Sequence, residues 1–146
     1  MYQAEEIFLH DPKADRYDFS VLKGKKLKCF AAFVDKKSKF EVDMLKDMPL
    51  EILELSFAVP RKLSELQPLL TPSLKELYLS RVILDEPSLL SSLKLETLVL
   101  DGLTYSDDIM TNIAQMKSLK RLYLKFHYDC LLYTSDAADD HISVDL

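Results

Sequence analysis

Three hexapeptides in this chain share one arrangement of apolar and polar positions. They occupy residues 74–79, 95–100 and 119–124, each with leucine first, fourth and sixth. Stepping backwards in the same phase finds three more copies, beginning at Leu50, Leu27 and Ala4. Their apolar positions are Leu50/Leu53/Leu55, Leu27/Phe30/Ala32 and Ala4/Ile7/Leu9, so the pattern is loosest at the start of the chain. Successive copies begin 21 to 24 residues apart. The fourth and sixth positions stand two apart, the spacing of one face of a β-strand. So short a strand is not stable alone. Stacked in parallel at a fixed period, six of them form one sheet whose leucines fill a continuous core. The strands are predicted to centre near Ile7, Phe30, Leu53, Leu77, Leu98 and Leu122.

A parallel sheet needs its core face covered by the crossover segments. The clearest helical crossover opens with Ser106 as a cap and Asp107 and Asp108 in its first turn. Ile109, Ile113 and Met116 then form its apolar stripe. Asp85 is expected to cap a second helix, with Pro87 early in it and Leu89, Leu90 and Leu93 turned inward. Residues 61–70 offer Leu63, Leu66 and Leu69 or Leu70, with Pro68 distorting the end. Residues 18–23 read as a short helix stopped by Gly24, and 40–48 as a turn of helix at most.

The period and the L-x-x-L-x-L run resemble the leucine-rich repeat family over roughly residues 4–126. The resemblance implies an α/β leucine-rich repeat solenoid, with a parallel sheet on the concave side and short helices or turns on the convex side. One family feature is missing. The Asn or Cys that follows the strand in many such repeats is replaced by Pro12, Asp35, Ala58, Val82, Leu103 and His127. Asn112 is the only asparagine, and it falls in a predicted helix. The pattern is therefore more similar to the irregular intracellular repeats of F-box and ribonuclease-inhibitor type.

That resemblance implies a protein-interaction module holding its partner on the concave face. The substrate-recognition part of F-box-type ubiquitin ligase adaptors is one such module. The alternative is a regulator of an enzyme, such as a GTPase activator or a ribonuclease-inhibitor-like protein. Arg16, Arg61 and Arg81 are the arginines available to an activator, and none sits in a motif. Positions three, five and seven of each copy point away from the leucines. The C-terminal half of that face is the better candidate: Tyr78, Val99, Asp101, Arg121, Tyr123 and Lys125 combine aromatic anchors with charge.

Composition narrows the classes further. The net charge of −5 gives nucleic acid no electrostatic footprint. No apolar run is long enough for a membrane span, and the N-terminus lacks the basic start and apolar core of a signal peptide. Two cysteines, Cys29 and Cys130, make no disulfide framework, which favours the cytoplasm or nucleus. No phosphate loop, zinc motif or catalytic constellation is present, so neither an enzyme, a cofactor nor a small-molecule substrate is expected. Cys29 reads as an inert, partly buried thiol.

Residues 130–146 stand apart. Cys130 to Asp139 resembles the translation of a transposase-type sequencing adapter, and Ser143 to Leu146 matches its continuation. The expected division is a repeat domain of about six copies over 1–129, itself part of a longer protein, and a non-native tail over 130–146. The tail carries four aspartates and no Lys or Arg, which leaves nineteen cations against twenty anions in 1–129. The alternative is a seventh repeat through His141, Val144 and Leu146.

A last pattern concerns charge. The second position of each copy reads Glu5, Lys28, Glu51, Lys75, Glu96, Lys120. In a parallel stack opposite charges would be neighbours throughout, about 4.8 Å apart.

Overall fold

Every copy of the hexapeptide becomes a strand, and the strands associate in the order of the sequence. The computed structural model describes residues 5–9, 19–35, 40–102, 107–127 and 139–145. The strands are β1 (Glu6–Leu9), β2 (Cys29–Val34), β3 (Ile52–Lys62), β4 (Glu76–Ile83), β5 (Thr97–Gly102) and β6 (Arg121–His127). Each is parallel to the next. The register aligns Ile7, Phe30, Leu53, Leu77, Leu98 and Leu122 across the sheet, as the hexapeptide phase predicts.

The aligned layers are the core. Phe30, Leu53, Leu77 and Leu98 are fully buried, as are Leu55 and Leu100 two residues further along their strands. Burial of one such side chain is worth about 1.5–3 kcal/mol. The opposite wall comes from the crossovers. Leu63, Leu66 and Leu69, Leu90 and Leu93, and Ile109, Ile113 and Met116 join the leucines in one cluster. The strand leucines thus face helices, and among the described residues the other face of the sheet is left open.

The helices are shorter and tighter than an α-helical reading suggests. Phe19–Leu22, Val42–Met44 and Leu63–Leu69 are 3-10 turns. In the last, the three-residue spacing of Leu63, Leu66 and Leu69 matches the 3-10 period, so all three stack on one side. Leu70 is only half-buried. The α-helices are α1 (Ser88–Ser91) and α2 (Asp107–Ala114). Gly24, at φ 84°, ends the first 3-10 segment in the left-handed conformation expected of it. Ser106, the expected cap of α2, lies outside the described residues.

Asp85 does not cap its own crossover. Its carboxylate reaches back to the preceding one, accepting the Ser64 backbone N–H at 3.0 Å and the Ser64 hydroxyl at 2.5 Å. It closes the start of the Leu63–Leu69 turn from another copy and so ties adjacent crossovers together. Burial works to raise its pKa. The hydrogen bonds from Ser64, joined by its own backbone and that of Glu86, outweigh this and hold it below the ordinary 3.8.

The strands also run further than the hexapeptide. β3 continues through Pro60 to Lys62, taking in Arg61, which the pattern assigned to a helical crossover. The register jumps from Ser56↔Ser80 to Arg61↔Val82, so residues 57–60 bulge against Arg81 alone. A bulge is where a sheet accepts proline, which has no N–H to give the ladder. Arg81 itself has φ 61°. That left-handed step lets Val82 pair with Gly102 and fall back into the core. Gly102 leaves room there: a Cβ would sit 3.2 Å from Leu84 and 3.3 Å from Phe126.

Two devices tie adjacent copies at the start of the strands, the end opposite to that of an asparagine ladder. The carbonyl at the second position of each copy accepts two N–H groups from the next; Glu51, for example, takes those of Lys75 and Glu76 at 2.8 and 3.0 Å. Where a serine precedes the hexapeptide, its hydroxyl donates to the preceding copy's first carbonyl. Ser73 bonds Leu50 at 2.7 Å and Ser118 bonds Leu95 at 2.8 Å.

The same second-position residues carry the alternating charges. They resolve into three pairs: Lys28–Glu5 and Lys75–Glu51 at 3.6 Å, and Lys120–Glu96 at 3.8 Å. The expected continuous ladder is not formed. Each lysine closes on the glutamate of the preceding copy, which draws it from the one that follows.

A seventh strand, β7 (Asp139–Asp145), lies antiparallel to β6 and covers the sheet's last edge. Its direction is opposite to that of the six copies. An open edge pairs with any extended segment whose backbone can reach it. Among the described residues no helix is long and apolar enough to cross a membrane.

Two stability outcomes follow from this packing. Leu98→Ala should cost about 2–5 kcal/mol, read as a lower denaturant midpoint with unchanged slope. Lys75→Glu should destabilise at low ionic strength and regain most of the loss in high salt, because exposed charges are screened. A loss independent of salt would mean that charge is not its cause.

Candidate recognition face

The pleat sends positions three, five and seven of each strand to the open face. Small side chains there are overshadowed. Cys29 is buried, and burial pushes its thiol pKa up, with Glu6, Glu54 and Glu76 adding to the effect. A thiol held protonated in this way is a poor nucleophile, in keeping with the inert reading. Ala31 is buried beside it.

Further along the sheet, larger side chains frame a shallow groove of about 310 Å³. Tyr78, Val99 and Tyr123 are neighbours across β4, β5 and β6. They line it together with Asp101 and Lys125, which are themselves paired in register, and with Glu54. Five of the six candidates read from the sequence are therefore drawn into one concavity. Arg121, the sixth, is exposed on β6 next to Thr97 and outside the groove's lining.

Sequence reasoning did not single out Glu54 or Glu76, and both matter to the site. Tyr78 donates its phenol proton to Glu76 Oε1 at 2.8 Å, two residues away on the same strand. Burial is the largest influence on that phenol. With the Glu76 hydrogen bond, and the charges of Glu76 and Glu54, it pushes the pKa up to about 12, against a smaller opposing effect of Arg121. The alternation of the pleat holds the signal: residues 76 and 78 share a face. Ser80 also donates to Asp101 Oδ2, at a long 3.5 Å.

Of the arginines weighed for enzyme regulation, Arg61 and Arg81 stand on adjacent strands, one residue out of register. Arg61 lies over the Phe40 and Phe57 rings, 5.7 and 5.8 Å from their centroids. Those rings meet edge to face at 6.1 Å. Arg81 is exposed at its bulge, and Arg16 lies outside the described residues.

Tyr78 offers a spectroscopic check. Its raised pKa favours the neutral phenol in the folded state. The associated stability is whole below the ordinary value of 10.0 and is lost as pH rises towards about 12. Ultraviolet titration should find one tyrosine ionising near 12 that disappears in Tyr78→Phe and moves down in Glu76→Gln. A normal titration in the wild type would place the phenol in water.

No protein-family model, curated protein or solved structure matches the chain.

Proposed function

We propose that residues 1–129 form a leucine-rich repeat solenoid that binds a partner protein on the open, concave face of its sheet. The hexapeptide repeat, the ordered parallel strands and the helical cover over one face support the architecture. The groove framed by Tyr78, Val99, Tyr123, Asp101 and Lys125 carries the functional reading. Tyrosines offer large contact area at little conformational cost, and they are frequent among the residues that dominate interface energy. Arg121 would extend the contact past the groove. The role that suits this arrangement is the substrate-recognition part of an F-box-type ubiquitin ligase adaptor.

The experiment is capture from a source lysate on immobilised protein, comparing wild type with Tyr78→Ala/Tyr123→Ala. Removing two central anchors should cost tenfold or more in retained partner, since one such residue is worth about 2 kcal/mol or more. Circular dichroism and melting establish that the variant is folded. Equal retention by a folded double variant would place the binding surface elsewhere.

A further inference from the structure

The next step rests on the reading above and concerns what the partner must carry. Charge on the open face is sorted by strand. Over the six parallel strands its acidic side chains are Glu6 on β1, Glu54 on β3, Glu76 on β4 and Asp101 on β5. Its basic side chains, Arg121 and Lys125, are both on β6, the last of the parallel strands. Among the described residues, positions three, five and seven of β1 to β5 include no lysine or arginine.

On β2, Cys29 and Ala31 are 4% and 1% exposed although they point to the open face. Glu6 and Phe8 stand beside them on β1, Ile52 and Glu54 on β3. Taller neighbours thus cover the short, uncharged side chains of β2, and a carboxylate stands on the strand at either side of it. Glu76 lies one strand beyond, in register with Ile52. The field of these carboxylates is felt locally: all three bear on the Cys29 thiol, and Glu76 and Glu54 on the Tyr78 phenol.

We infer that the partner presents a basic segment to this face, with a lysine or arginine lying over β2 between Glu6 and Glu54 and an aromatic or large apolar side chain in the Tyr78–Tyr123 groove. The alkyl stem of the basic residue lies across the side chains that cover β2 while its head meets the carboxylates. β2 and β5 are three strands apart, about 14 Å at the usual strand spacing. An extended segment covers that distance in about four or five residues. An acidic segment is rejected, because like charges brought together across an interface oppose binding.

The test is selection of randomised dodecapeptides displayed on phage against the immobilised full chain. Enriched peptides should carry Lys or Arg four or five residues from an aromatic or large apolar residue and should be poor in Asp and Glu. A synthetic peptide of the enriched sequence, followed by fluorescence anisotropy, should bind Glu6→Lys/Glu54→Lys about tenfold or more weakly than wild type, with affinity falling as salt is raised. Both substitutions lie on the open face, outside the leucine core, and circular dichroism checks the fold. No enrichment, enrichment of acidic or uncharged peptides, or equal binding to the charge-reversed variant overturns the inference. Uncharged peptides that depend on Tyr78 and Tyr123 would do so while leaving the groove as the binding site. Peptides bound equally by Tyr78→Ala/Tyr123→Ala would instead count against the groove.

Discussion

Register is the constraint on which the rest of this molecule depends. The residues at positions four and six must meet their counterparts on both sides, because a parallel strand of a few residues has no stability of its own. A slip of one residue would turn every leucine of that strand out of the core. The copies nevertheless differ in length, and the difference has to be absorbed where register is not at stake. The longer step from Leu50 to Leu74 accommodates the bulge at 57–60 and the 3-10 turn Leu63–Leu69. The shortest step, Leu74 to Leu95, makes do with the single left-handed residue Arg81 and the one-turn α1. The step to Leu119 has room for α2. Crossovers change their helix type so that the strands need not change their phase.

This division explains what could be read from the chain in advance. The leucine phase is local and repeated, so six strands, their order and their register were all legible in it. The crossover stripes were legible as apolar faces, but not their helix type. Three residues of Leu63-x-x-Leu66-x-x-Leu69 serve a 3-10 turn as well as the start of an α-helix, and the choice depends on the room between the sheet and the neighbouring copy. The bond from Ser64 to Asp85 was hidden for a related reason. It joins residues 21 apart in sequence that the stack brings together, whereas the capping rule looks only to the helix that follows. Arg81 was hidden because a left-handed residue usually announces itself as Gly or Asn. At that position the demand of Val82 for the core overrides the local preference.

The charged second positions were legible as an alternation, yet alternation alone does not decide which neighbour each lysine takes. The backbone adds the asymmetry: each second-position carbonyl holds two N–H groups of the next copy. The side chains ride on that joint and are exposed, and an exposed ion pair is worth only about 0–1 kcal/mol. A buried leucine is worth several times as much. The pairs therefore cannot drive the stacking; they can favour one ordering of copies over another.

The same imbalance of energies leaves the open face free to specialise. Its side chains alternate with the leucines but do not share their task, so Tyr78, Val99 and Tyr123 can differ from copy to copy while Leu77, Leu98 and Leu122 cannot. The Glu76–Tyr78 bond is the instructive case. It joins two open-face residues of one strand, so it orients the phenol at the groove without drawing on the core. The charges are sorted along the six parallel strands in the same way, acidic on β1, β3, β4 and β5 and basic on β6, across a core that is apolar throughout. A scaffold held by one face can present on the other a surface whose chemistry is set strand by strand. Substitutions there should then act on recognition with little consequence for folding, which is what allows the two to be measured apart.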